Sequence, residues 1–481
     1  MHRFAVVADP HYHALFAGYP VAGATFRGRA DACLRTRADS AASTRIFNES
    51  ALALPAVLDA CARQGSGTVH DPRMSCRGYG GLIALWRDHG LMRAPGDLHW
   101  ESPFGPDDAE AARFCTLSSP DGMTLHRQID TSYLVEPEEG LWLLSIDANV
   151  FVPRDGRPDN SREDAFDDST NAGWNALVRL KPFLLDWMAD VARRAAAGGK
   201  TLICFSHYPV ADVLRGTMAD EIALFGRTTA VLRNPTPETS AKVAETGITT
   251  HFSGHLHYLC TAQARSGARC LTNIAVPSAV AFPRAFLTAS AKGTTLDMAV
   301  QMIDMPDFDA FFPHYATAET GGDPARDWLS ATSYPQFLYF HVRELVKRRF
   351  LPREWPAPLW RFVMGASIDD LFTLAGKDDP VDLAACDFPA AAWGNSLTDL
   401  LTDWYAARSA GPLVRRFIPE GRRETYLALV AAFNRRSWDD RACAQSCLRR
   451  FLNMFASAVS GTDMDLTVQD GNADRARDPA P

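Results

Sequence analysis

Thr249-Thr250-His251-Phe252-Ser253-Gly254-His255-Leu256-His257 decides how this 481-residue chain is read. Two histidines, His255 and His257, stand two residues apart directly after a glycine. If the run before them is a strand, side chains at i and i+2 share a side, and both imidazoles face one cation. Gly254 lets the backbone pass close to whatever the rings bind, because it has no Cβ. Two further runs have the same form. Phe4-Ala5-Val6-Val7-Ala8 reads as a short buried strand that ends in Asp9-Pro10-His11. Thr201-Leu202-Ile203-Cys204-Phe205 is a continuous apolar run, as in a strand covered on both faces, and it leads to His207. Three apolar strands ending in ligand-type side chains place the chemistry at the strand ends of an α/β sheet.

The rest of the first 305 residues supplies the other parts of such a sheet. Thr131–Val135 and Leu141–Asp147 read as adjacent strands joined through Pro137 and Gly140, a hairpin signal. Asp147 and Asn149 follow the second of them, at a strand end, as site residues or as turn formers. Trp174 to Ala197 reads as one amphipathic helix stopped by Gly198-Gly199. Residues 211–247 read as a polar, partly helical insertion ending in a helix over 238–246, and 270–278 and 293–303 as closing strands.

Taken together, Asp9-Pro10-His11, the later His207 and Gly254-His255-Leu256-His257 resemble the calcineurin-like metallophosphoesterases. The family's first motif is Asp-x-His and its last is Gly-His-x-His. Their order along the chain is right, and the resemblance covers roughly residues 1–300. It implies a four-layer α/β/β/α sandwich and two metal ions that clamp a phosphate and activate water. By the family's assignment Asp9, His11 and His257 serve the first ion and His207 and His255 the second. His207 also helps to stabilise the developing negative charge. Imidazole with carboxylate suits Mn, Fe or Zn. Asp9, His11 and His257 would also suit a mononuclear non-haem iron site, which neither the motif order nor the Gly-His-x-His turn supports.

The departure matters as much as the match. The family's middle motifs, Gly-Asp-x-x-Asp/Asn and Gly-Asn-His-Asp/Glu, supply a bridging aspartate, an asparagine ligand and an acid histidine, and no Gly-Asn-His occurs in this sequence. The interval around 65–100 holds no apolar run able to form the strands that precede them, as if a strand–helix–strand block had been lost. A helix over about Ser50–Arg63 leads into that interval. Asp97 and His99, in Pro95-Gly96-Asp97-Leu98-His99, are the substitute ligands to weigh against a surface loop, with His70, Asp71 and His89 behind them. Arg27, Arg29 and Arg35 border the expected mouth of the site, as phosphate contacts or as a solvated loop. The remaining ligands suit one ion better than two, so activity should be low unless another carboxylate substitutes.

Composition narrows the classes. A net charge of −8 offers no electrostatic reason to expect nucleic acid, and 47% hydrophobic content supports a sizeable core. Ten cysteines without Cys-x-x-Cys pairs fit a reducing compartment. The chain opens directly into a strand, so no signal peptide is expected, and no apolar run reaches the roughly 18–20 residues of a membrane span. The expected location is the cytoplasm.

Residues 306–465 form an expected all-α appended domain, and 466–481 an expected disordered tail. Tyr334–Leu351 crowds Arg343, Lys347, Arg348 and Arg349 at its end. This suits a membrane or an acidic partner, or a bundle helix with cations at its C-terminus. The expected function is a metal-dependent phosphoesterase acting on a small phosphomonoester or phosphodiester. The alternative is a catalytically inactive relative with a binding or regulatory role.

Overall fold

The computed structural model describes residues 2–9, 83–84, 86–167, 173–292, 295–304, 308–309, 312, 330–386, 388, 395–439, 441–460 and 467–469. His11, His70, Asp71, Arg27, Arg29, Arg35, the helix expected over 50–63 and most of the 65–100 interval lie outside them. So does the side chain of His89.

Thirteen strands are described: β1 His2–Val6, β2 His99–Glu101, β3 Phe114–Ser118, β4 Leu125–Ile129, β5 Tyr133–Glu138, β6 Leu141–Ser145, β7 Thr201–Phe205, β8 Thr250–Ser253, β9 Cys260–Ser266, β10 Arg269–Ala275, β11 Ala285–Lys292, β12 Thr295–Met302 and β13 Thr467–Gln469. Seven form one mixed sheet in the order β2-β5-β6-β7-β8-β10-β9. Its centre, β6-β7-β8-β10, is parallel, and antiparallel strands flank it on both sides. The apolar runs of β6 and β7 suit this central place, because helices cover them. The β5–β6 hairpin is present, with a bulge between Val135 and Glu138.

The N-terminal strand departs from expectation. β1 pairs with β11, not with the sheet that carries His207, in a second sheet ordered β1-β11-β12-β13. Its residues alternate between half-buried and exposed, with Val7 beyond it 50% exposed. Phe4 meets Phe252 of β8 edge-on, with ring centroids 6.2 Å apart. The apolar run Phe4–Ala8 reads as a short buried strand, but side chains alternate between the two faces of a strand, and here one of those faces is open. Sequence reading also passed over β11, whose Ala-Ser-Ala run carries little apolar bulk.

Among the described residues, the α-helices before residue 250 are α1 Gly173–Leu180, α2 Pro182–Ala197, α3 Met218–Phe225, α4 Thr229–Arg233 and α5 Pro237–Glu245. The single helix expected over 174–197 is therefore two. Pro182 lacks an N–H and disfavours α geometry at the preceding residue; Lys181 leaves the helix at φ −124° and Pro182 starts the next one. Trp174 and Leu177 of α1, Leu184, Met188 and Val191 of α2, and Val243 and Ala244 of α5 pack with Leu144, Cys204 and Leu271 in one core cluster.

The C-terminal region is largely helical: α6 Tyr334–Leu345, α7 Leu351–Glu354, α8 Ala357–Gly365, α9 Ile368–Ala375, α10 Leu397–Ala410, α11 Glu420–Asn434 and α12 Ala444–Ser460. A π-helical turn, Val346–Phe350, joins α6 to α7. The cations at this end are engaged locally: Arg348 and Lys347 with Glu344, and Arg343 with Asp399 at 3.4 Å. In the segment expected to be disordered, Thr467–Gln469 runs parallel to β12 as a sheet edge. No helix among the described residues is long and apolar enough to cross a membrane.

The chain divides into two compact units. One contains residues 1–9, 92–303 and 341–481, so the later helices pack in the same unit as the seven-stranded sheet; the other contains 10–91 and 304–340. Within the second, Phe308, Phe312 and Ala331 gather with Tyr334, Phe337 and Phe340 in an aromatic cluster.

Candidate functional site

The site forms where the C-terminal ends of β7 and β8 meet the end of β1. His207 lies two residues beyond β7, and its carbonyl accepts the Gly254 N–H at 3.0 Å. Asp9 is brought in from the second sheet. Ala8 bridges to Ser278 in parallel, the Ala279 N–H reaches the Ala8 carbonyl at 3.0 Å, and Ser278 Oγ donates to the Asp9 carbonyl at 3.0 Å.

Four of the five residues read as ligands converge. Asp9 Oδ2 accepts the His255 N–H at 2.8 Å. Asp9 Oδ1 lies 3.4 Å from His257 Nε2 and 3.7 Å from His207 Nε2. His207 Nε2 also meets His255 Nδ1 at 2.8 Å. The fifth, His11, is outside the described residues.

The route to this convergence differs from the expected one. β8 ends at Ser253, so His255 and His257 do not share a strand face. Both sit in a turn with left-handed backbone, at φ +66° and +58°, and Asp9 is likewise at φ +46°. Such conformations cost of order 1–3 kcal/mol each in non-glycine residues and persist only where the surroundings over-determine them. Besides these three, only Arg215 and Arg284 among the described non-glycine residues have positive φ, so the strain gathers at the site. Gly254 is required by close approach: a Cβ there would stand 2.5 Å from Asp9 Oδ2.

Beneath the histidines lies a buried polar hub. His251 Nε2 meets Ser206 Oγ at 3.0 Å and His251 Nδ1 meets Asn273 Oδ1 at 2.9 Å. Asn273 also accepts from the Val210 N–H and donates to Ser253 Oγ, while Trp174 Nε1 donates to Ser206 Oγ. This hub ties the segment after His207 to the strand before Gly254. Sequence reading left it out, although its signal was present: His251 and Asn273 are polar residues inside apolar strand runs. Tyr208 was also missed. Its ring centroid lies 4.5 Å from that of His255 and 5.2 Å from that of His207, and its hydroxyl reaches Asn149 Oδ1 at 3.4 Å. Asn149 is thus at the site's edge, whereas Asp147 accepts the Thr131 and Asn149 N–H groups and shapes the turn.

The candidate substitutes have other partners. Asp97 accepts the Ala94 N–H at 2.6 Å and closes its own turn. His99 meets Glu101 at 2.9 Å and stacks on Trp142.

Electrostatics favour the charged form of Asp9 and make His255 and His251 weaker bases. Burial raises the Asp9 carboxyl, but the His257 hydrogen bond and the charges of His207 and His257 outweigh it and hold it well below the usual carboxylate range. Burial depresses His255 to about 2, with His207 and Arg233 adding to the effect. Burial depresses His251 to about 4, against the Asn273 hydrogen bond.

That last shift makes a prediction. A histidine neutral in the fold but basic when unfolded contributes stability above its unfolded value near 6.5, which is lost as pH falls toward about 4. The interval corresponds to roughly 3 kcal/mol. Urea denaturation between pH 7 and 4 should show this loss, and His251→Gln should flatten it by that amount. Identical pH dependence in both proteins would refute the assignment.

As they stand, the donors hydrogen-bond one another. Among the described residues, no group of three or more His, Cys, Asp or Glu is set to hold a metal ion. Their chemistry nevertheless fits one: a carboxylate held ionised, imidazoles within reach of it, and a His255 Nε2 that is buried without a hydrogen-bond partner. No protein-family model and no curated protein sequence matches this chain.

Proposed function

We propose that this chain is a metal-dependent phosphoesterase of the calcineurin-like type, with the four-layer α/β/β/α arrangement as its catalytic fold. One observation carries the proposal: Asp9, His207, His255 and His257 converge from separate sequence segments, three of them on strained backbone. A divalent Mn, Fe or Zn ion held there, with His11 joining the set, would polarise a phosphoryl oxygen and acidify water. Asp9 would supply the negative charge that attracts such an ion, and the left-handed turn would present His255 and His257 to it. Exposed His207 faces the solvent side, where an ester enters and where its N–H stabilises developing negative charge. The positive charge of Arg233, felt by both His207 and His255, favours an anionic substrate.

A second reading, a relative with a binding or regulatory role and no catalysis, is favoured by the mutual hydrogen bonding of the donors and by the missing middle motifs. Metal content and manganese-dependent hydrolysis of bis(p-nitrophenyl) phosphate separate the two. The expected result is about one ion per chain, held by Asp9, His11 and His257 as a two-imidazole, one-carboxylate set, with slow turnover abolished by His257→Ala. Absence of bound metal and of turnover would leave the non-catalytic reading standing.

A further inference from the structure

The strained histidine turn is anchored on both sides, and the two anchors come from different parts of the chain. Upstream, the Gly254 N–H is held by the His207 carbonyl and the His255 N–H by Asp9. Downstream, the anchor is α10, far away in sequence. The Leu259 N–H donates to the Ser409 carbonyl at 3.0 Å. Gly411, at φ +51°, approaches so closely that a Cβ would stand 1.9 Å from the Leu259 carbonyl oxygen. The Arg408 guanidinium lies 5.1 Å from the centre of the Tyr258 ring and 4.5 Å from that of Trp404. Its charge is matched by Glu221 of α3 at 3.0 Å, both side chains being buried.

A second seam runs alongside. Arg215, itself at φ +56°, donates to the Ala458 carbonyl of α12 at 2.9 Å, and Arg450 of α12 meets Asp220 of α3 at 2.7 Å. Only Tyr258 separates His257 from Leu259, so any shift of the α10 anchor passes directly into the turn. Left-handed backbone at two non-glycine residues persists only while both flanks are fixed.

We propose that the helical C-terminal region serves the site itself: Arg408, Ser409 and Gly411 are positioning residues that hold His255 and His257 in place. The proposal uses the phosphoesterase reading only for its metal readout.

The test uses the full chain with Gly411→Ala, and with Arg408→Lys, which keeps the charge opposite Glu221 but loses the planar stacking surface. Leu429→Ala, a fully buried α11 position outside these contacts, is the comparison for general loss of stability. Two quantities are read below the melting temperature of each protein: modification of His255 by diethyl pyrocarbonate, mapped by mass spectrometry, and affinity for Mn²⁺. In the parent chain His255 is protected, since Nδ1 is occupied by His207 and Nε2 is buried. In Gly411→Ala it should react at a rate comparable with half-exposed His99, and Mn²⁺ affinity should fall about tenfold or more. Arg408→Lys should show the same change to a smaller degree, and decides the matter if Gly411→Ala does not fold. Leu429→Ala should lower the melting temperature and leave His255 protected. Protection of His255 in both anchor variants, or equal exposure in Leu429→Ala, overturns the proposal. If the parent binds no Mn²⁺ while His255 is exposed only in the anchor variants, positioning stands and the metal reading fails.

Discussion

Gly254→Ala is expected, on the proposed phosphoesterase function, to lower metal-dependent hydrolysis roughly a hundredfold, the scale of a misplacement near 1 Å at a reacting centre. The added methyl group would stand 2.5 Å from Asp9 Oδ2 and 3.0 Å from Ala8 Cβ. Neither neighbour can yield cheaply. The Asp9 side chain is 6% exposed and its Oδ2 holds the His255 N–H, so a retreat of the carboxylate loosens the turn as well. Ala8 is fixed through its bridge to Ser278. The stability cost should be about 1–3 kcal/mol, as for other overpacked sites, so the protein should still fold. Hydrolysis, Mn²⁺ titration and urea denaturation on the same preparation check this. Turnover within about threefold of the parent would show that Asp9 is not held where the proposed function needs it.

Lys181→Met is expected to have the largest effect on stability, about 3–5 kcal/mol, because it removes one side of a buried ion pair. Lys181 Nζ lies 2.7 Å from Asp130 Oδ2, with side chains 1% and 0% exposed. Burial disfavours the ammonium, but the charges of Asp147 and Asp130 outweigh it and raise the Lys181 pKa above its ordinary value. Methionine matches the length and restores no charge, so Asp130 and Asp147 remain buried and repel each other. Asp147, which burial raises and Lys181 lowers, then loses its main compensating cation. Combining Lys181→Met with Asp130→Asn should recover part of the loss, which a double-mutant cycle in urea measures. A loss below about 1 kcal/mol for the single variant would mean that the pair is not buried in solution.

Much of the sheet could be read from the chain because local pattern and tertiary role agree there. Leu141–Ser145 and Thr201–Phe205 are apolar runs bounded by turn residues, and both lie in the parallel centre of the sheet. Where pattern is ambiguous, reading faltered. The helix expected over 174–197 is interrupted at Lys181 because a proline rule outweighs continuous amphipathicity. β11 is apolar only at its start, in Phe286 and Leu287, and its Ala-Ser-Ala end gives no strand pattern; its pairing with β1 and β12 makes it a strand.

The candidate site divides in the same way. The types and order of Asp9, His207, His255 and His257 are written in the chain, and so is the glycine before the last two. Residue types and their order along the chain therefore name the donors and the strand ends that carry them. Their meeting was decided only by the tertiary structure. β1 sits in a different sheet from β7 and β8, so Asp9 reaches the histidines through the stitching at Ala8 and Ser278. His255 and His257 face the site through left-handed backbone rather than strand alternation. That conformation is locally unfavourable, so no local pattern announces it. It is kept by contacts to Asp9, His207 and Ser409, whose distance in sequence hides them until the chain is folded.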